Sequence, residues 1–441
     1  MKRDMAAVRK SGSPEVRKSG LMLVIVTLCC TACVRSTTEI PARANTVPTS
    51  HTAPPVARTT WPALDHEPQL GILLLRGASF KLRLLQTCSL PDGKEIATST
   101  INVRADGDGI QVGSHRFTTS TVVLTPRQAG ATVSIGAAKF VGALELVRER
   151  SEVLLIERVG LETWLAGVLP VEMHPNWPIE ALAAQAIVAR SYAAARWQSR
   201  QQEPWHLVRG TADIAYGGEL TPSPNVSAAL ASSRGLVLAH DGQAILARFH
   251  ACSGGRTEDS VHLWPTATLV DGVTPLSRFM RSVDDPVSAD GAKGLGWSLT
   301  HDTWKVSLPT AAVAKDLRTW SDNDRRRPVI RSVHAVAIAE REAGSNRVAR
   351  VSVVHHGPDG ERTDTMDALD FRLAVGASKV RSLWWERCVM TPTAVVIEGH
   401  GYGHGVGLPQ VSAWQLAKQG VSAKDIILRY YNGVTLIRAW H

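Results

Sequence analysis

Aromatic residues are scarce in this chain, 24 of 441, and 13 of those are tryptophan. No dense lysine and arginine run with interleaved aromatics occurs, so nucleic acid is not the natural partner. The one strongly glycine-rich stretch is not followed by Gly-Lys-Ser/Thr, which excludes a phosphate loop. A His-x-Glu-x-x-His signature is missing, which counts against a metallohydrolase built on His250, His400 and His404. No internal repeat of fixed period appears. The apolar stretch at 21–32 is shorter than the roughly 20 residues that span a bilayer.

That stretch follows a basic segment and matches a secretory h-region, so residues 1–32 read as a leader and the protein as exported to the cell envelope. The net charge is +9, and the leader carries six basic residues against two acids. The remainder is mildly basic, which suits an anionic polymer and is equally unremarkable on many soluble proteins. The leader ends Cys30-Thr-Ala-Cys33, similar to a bacterial lipoprotein site with Cys33 as the lipidated residue and membrane anchor. Cys30 stands where such sites usually carry Leu, and an ordinary secretory cleavage nearby is the alternative. Residues 33–66 are rich in Thr, Pro, Ala and Ser and read as a flexible linker. Beyond it, Cys88, Cys252 and Cys388 are an odd number in an oxidising compartment. One disulfide plus one free thiol is compatible with that, with the pair left open.

With 44% hydrophobic and 20% charged residues, the chain is a globular protein. Short alternating apolar runs at 70–75, 80–85, 110–112 and 121–124, punctuated by Pro91-Asp-Gly and Asp106-Gly-Asp-Gly, make 67–150 a β-rich portion. Strands are expected again at 153–156, 236–239, 244–249, 329–338 and 348–354, and a short helix at 310–319. Residues 151–441 form the second expected domain. The fold class is α+β: a β framework with one long helix after Glu172 and a shorter one after the glycine-rich loop.

Three runs carry the chemistry. In the first, Glu172-Met173 precedes Trp177-Pro178 and an alanine-rich segment. Pro178 suits a first helical turn, and Ala181 to Ala195 favours a close-packing helix. Arg190 lies in its apolar stripe with Ile179, Leu182, Ala183, Ala186 and Ala193, and a buried guanidinium needs a partner. The second run is Phe249-His-Ala-Cys-Ser-Gly-Gly-Arg-Thr-Glu. In the third, Gly399-His-Gly-Tyr-Gly-His-Gly-Val-Gly, five glycines alternate with His400, Tyr402, His404 and Val406. That composition suits a backbone folded closely around a polymer or another backbone, leading into a helix over 412–418 ended by Gly420.

In this order the runs resemble the SpoIID/LytB family of peptidoglycan hydrolases and their relatives. The matching residues are Glu172-Met173, Pro178 to Ala186, Ala189 to Ala193, Ser253 to Glu258, Gly403 to Ala413 and Ile427 to Gly433, so the likeness spans roughly 67–440. Ser412 stands where the family usually has Gly, and His400 where relatives often carry Arg or another polar residue.

The resemblance implies a lytic transglycosylase-like enzyme cutting peptidoglycan glycan strands stripped of stem peptides. Its catalytic residue would be Glu172, which would protonate the glycosidic oxygen and then act as base. Ordinary glycosidases use two carboxylates. A transglycosylase manages with one, because the muramoyl 6-hydroxyl is the internal nucleophile. Glu162, Glu180 and Glu258 are weaker candidates, with Glu162 expected in a strand or loop. Arg190 would contact substrate or support Glu172, with a structural ion pair as the alternative. His404, Gln410 and Ser253 would bind substrate, with loop-shaping hydrogen bonds the alternative for His404 and Gln410; Tyr192 reads as packing. No cofactor is required, although some relatives carry zinc, for which His250, Cys252 and the more distant His262 are weak candidates. A non-catalytic, glycan-binding enhancer of a cell-wall amidase is the rival reading.

Overall fold

The computed structural model describes residues 64–440 except 211–212, 270–271, 273 and 325. The leader, Cys33 and nearly all of the linker lie outside the described residues. The end of the linker does not: the Leu64 N–H donates to Ala439 O at 3.1 Å, and Leu64 bridges Trp440.

The architecture is α+β and rich in strands. A seven-stranded sheet runs in the order Leu207–Val208, Gln69–Gly77, Glu152–Gly160, Ala143–Glu149, Thr121–Pro126, Cys88–Ser89, Glu95–Ile96. A six-stranded sheet holds Ala138–Val141, Ala131–Ile135, Ser79–Leu84, Thr100–Asp106, Gly109–Val112 and His115–Phe117. Alternation sets their facing: in Thr100–Asp106 the buried positions are Ile101 and Val103. Both sheets feed one contiguous apolar core with the helices. The expected 244–249 strand is instead broken, with Gln243–Ala244 turning back on Leu236–His240 and Phe249–His250 pairing in parallel with Leu408–Pro409.

Strand Glu152–Gly160 passes without a loop into helix α1 (Leu161–Glu172). Here the expectation for Glu162 needs correcting, since it sits in the first turn of a helix; Glu172 ends that helix and precedes the expected long one. Composition hid α1 because it contains Gly167 and Pro170. Proline near the C-terminus forfeits a single intrahelical bond, and burial of Trp164, Leu165, Val168 and Leu169 supplies the stability.

After a turn at His174–Trp177, helix α2 (Ile179–Ser199) crosses the molecule. Every residue from Ala181 to Ala195 is buried, so α2 is a central helix rather than one with a single buried stripe. Its small side chains let it pack against helix Pro224–Ser233, strand Leu236–His240 and helices Gln410–Lys418 and Ala423–Tyr430. Cys88, Cys252 and Cys388 are all free thiols, so no disulfide joins any two of them.

Candidate functional site

α1 delivers Glu172 to its C-terminal end, where the side chain is 5% exposed. One carboxylate oxygen, Oε1, accepts the Ala215 backbone N–H at 3.1 Å. The Glu172 carbonyl accepts from Gln410 Nε2 at 3.2 Å. Gln410 is buried and opens helix Gln410–Lys418, so the third run is tied to the first at this point. Its amide anchors backbone here, the loop-shaping alternative for this residue.

The loop that carries Ala215 is fastened to α1. Gly217 N–H donates to Gly167 O at 3.0 Å. A Cβ on Gly167 would fall 2.1 Å from Gly218 O, so the close approach requires glycine in the helix. Tyr216 packs edge-on to Phe140, with ring centroids 5.7 Å apart, and its hydroxyl donates to Glu157 Oε1 at 3.4 Å. Burial pushes the Glu157 carboxyl up to about 8, against the lowering effect of the Val141 N–H, Tyr216 and Arg209, so it is largely neutral at pH 7.

The glycine loop folds onto this chain's own second run. Gly401, Gly403, Gly405 and Gly407 all have positive φ. A Cβ at Gly401 would meet Cys252 O and Ser253 O at 2.8 Å, one at Gly403 would meet His250 Cβ at 2.7 Å, and one at Gly407 would meet Arg248 O at 2.0 Å. Of the two expected uses, close approach by another backbone is the one seen. His404 is 4% exposed, lies 5.6 Å from the His250 ring, and its Nδ1 accepts the Val406 N–H at 3.0 Å. Burial first, then the neighbouring His250 and Arg248, hold it well below the ordinary histidine range, so it is neutral. The loop-shaping role fits this geometry better than an open groove wall.

Arg190 and Ser253 need correction as substrate contacts. Arg190 is fully buried and forms a two-pronged pair with Glu162, Nη2 to Oε2 at 2.9 Å and Nε to Oε1 at 3.0 Å. Glu162 also accepts from Gly235 N and Trp440 Nε1. Burial alone would raise the Glu162 carboxyl, but the Arg190 charge and hydrogen bonds outweigh it and hold it below its usual range. Glu162 and Glu172 stand at opposite ends of α1, about 15 Å apart along the axis. The pair therefore locks α1 to α2 at the far end and does not support Glu172. Ser253 is 0% exposed and donates to Asp285 Oδ2 at 2.6 Å. Ser412 and Tyr430 donate to the same carboxylate, at 2.6 and 2.8 Å. Ser412 thus earns its place as a strut between the second and third runs.

The zinc candidates do not converge. His250 Nδ1 bonds Val406 O at 3.1 Å, Cys252 Sγ meets Ser288 Oγ at 3.2 Å, and His262 Nδ1 bonds Glu258 Oε1 at 2.8 Å. Burial pushes the Cys252 thiol up to about 12 and His250 down to about 3, Arg347 adding to the latter. Among the described residues no group of three or more His, Cys, Asp or Glu is arranged to hold a metal, so these residues do not fit a zinc site. No described helix is long and apolar enough to cross a membrane.

Sequence reading missed Ala215, whose contribution is a backbone N–H and leaves only Gly217-Gly218 as a trace. It also missed an aromatic row that begins at Trp177, in the turn after Glu172. Trp177 packs on half-buried Trp297 at 5.9 Å, Trp297 stacks on His301 at 4.4 Å, and His301 meets Tyr402 of the glycine loop at 4.9 Å.

Residues 149–240, which hold α1, α2, Glu172 and Ala215, match the family described as Stage II sporulation protein, SpoIID. The resemblance of this chain to the SpoIID/LytB family is supported by that match. It is 23% identical over 305 residues to an uncharacterised protein of Brachyspira hyodysenteriae, covering 69% of this chain and 74% of that one. It is 26% identical over 302 residues to the amidase enhancer of Bacillus subtilis, covering 62% of this chain but only 40% of that longer protein. It is 23% identical over 299 residues to Stage II sporulation protein D of the same bacterium, covering 64% and 76%. The family match thus falls on the part of this chain where the carboxylate and its N–H partner meet.

Proposed function

We propose that this protein acts on the cell wall and cleaves peptidoglycan glycan strands, preferring strands stripped of stem peptides, with Glu172 as the single general acid and base. The observation that carries this reading is the held carboxylate: Glu172 Oε1 on the Ala215 N–H, at the end of α1, backed by Gln410. In the acid role Glu172 gives its proton to the glycosidic oxygen as the bond from that oxygen to the muramoyl C1 breaks. The muramoyl 6-hydroxyl oxygen then bonds to C1, and its proton returns to Glu172. No water is consumed, and the products are an anhydro-muramoyl end and a free sugar hydroxyl. In the aromatic row, Trp297, half-buried where Trp177, His301 and Tyr402 are buried, is the ring for sugar to stack on. Mass spectrometry of peptide-free strands after incubation with the protein tests the reading: anhydro-muramoyl ends are expected, and intact strands contradict it.

The similarity to an amidase enhancer favours a second reading, in which the same site binds glycan without cutting and stimulates a wall amidase. Localisation to the envelope, with attachment through Cys33, belongs to both readings.

A further inference from the structure

The N–H that meets Glu172 comes from a loop, and a loop amide is a precise partner only when its backbone is pinned. Asp213 and Tyr216 flank Ala215, and both side chains are buried. Asp213 Oδ1 accepts the Tyr192 hydroxyl at 2.6 Å and faces Arg196 Nη2 at 3.3 Å, both on α2. Its Oδ2 accepts the Val208 N–H at 2.8 Å, which ties the loop to the seven-stranded sheet. On the other side, Tyr216 reaches Glu157 on the same sheet, and Gly217 donates to Gly167 on α1. Ala215 is therefore held between one fastening to α2 and another to α1 and the sheet.

We propose that Asp213, with Tyr192, and Tyr216, with Glu157, are positioning residues that hold the Ala215 N–H on the Glu172 carboxylate. Tyr192, which reads as packing in the sequence, is then part of the site's support. The two fastenings are chemically different. Asp213 is an ionic and hydrogen-bonded hub whose loss frees three donors at once. Tyr216 works through ring packing on Phe140 and Trp164 as well as its hydroxyl. The Asp213 side should therefore matter more per atom removed.

The inference rests on the catalytic reading of Glu172 for its kinetic consequence but not for its structural one, so two readouts are taken. The variants are Asp213→Asn, Tyr192→Phe and Tyr216→Phe in the mature protein, assayed well below their melting temperatures. Hydrogen exchange at the amides of 213–217 is expected to speed up at least about tenfold in the first two and less in the third, with α2 amides unchanged. On peptide-free glycan strands kcat is expected to fall about tenfold with KM unchanged, because a misplaced general acid impairs chemistry rather than binding. Unchanged exchange in both Asp213→Asn and Tyr192→Phe overturns the clamp. Faster exchange with wild-type kcat overturns the positioning role and leaves a structural one. If the wild-type protein forms no anhydro-muramoyl ends, the catalytic reading and the positioning role fall together, and the exchange data still decide the clamp.

Discussion

Glu157 is a buried carboxyl whose neutrality has a measurable consequence. Its folded value is about 8, against 4.5 for an unperturbed glutamate, and burial is the main cause. Between those values the folded state binds a proton that the unfolded chain has released. Stability must therefore fall as pH rises through that interval and level off above 8. Over the whole interval the loss is about 5 kcal/mol, and from pH 6.5 to 8 it is about 2 kcal/mol. The upper window is the useful one. Burial also depresses His206 to about 4 and His301 to about 3, so their contribution is lost as pH falls below 6.5 and is flat above it. Glu157→Gln keeps an acceptor for the Val141 N–H and the Tyr216 hydroxyl but cannot ionise. Urea midpoints for the two proteins at pH 6.5 and 8 give the answer. The wild type should lose about 2 kcal/mol relative to the variant across that range. Parallel curves, or a wild type that gains on the variant as pH rises, would refute the reasoning.

Other outcomes follow from particular contacts. Gly405→Val forces a β-branched residue to φ +87° with its Cβ 2.8 Å from the Arg347 guanidinium, so thermal melting should register a loss of roughly 3 kcal/mol or more. Gln185 is fully buried with neither amide atom bonded; Gln185→Met should raise the melting temperature, by the equivalent of about 1 kcal/mol or more, and a lower one would mean that the amide has a role. Trp297→Ala should weaken retention on peptide-free glycan strands by roughly five- to tenfold without loss of fold, as for a lost stacking partner, read by sedimentation with the strands and by circular dichroism.

Much of the framework was legible because it follows strict rules. Alternation marked strands such as Thr100–Asp106, a continuous apolar run marked Gln69–Gly77, and Pro178 with the alanine run marked the start of α2. α1 was hidden because Gly167 and Pro170 speak against helix, and the pressure that overrides them, packing on the Tyr216 loop, is tertiary. The odd charge of Arg190 correctly signalled a buried partner, but that partner is Glu162, 28 positions away, which no local pattern indicates. The glycine alternation revealed a close backbone approach without revealing that the approaching chain is residues 248–253. At the candidate site, Glu172 was visible as an isolated carboxylate in a matching motif. Its partner was not, since a backbone N–H has no letter in the sequence.

The most direct test of the central claim sets wild type beside Glu172→Gln on purified peptide-free glycan strands, with products read by mass spectrometry and glycan binding measured in parallel. The account predicts anhydro-muramoyl ends from the wild type, at least about 10²-fold fewer from the variant, and equal binding, because Gln keeps the shape but cannot deliver a proton. Wild-type-like turnover by the variant would contradict it. So would two inactive proteins that stimulate an added wall amidase equally, which would leave Glu172 without a proton to transfer.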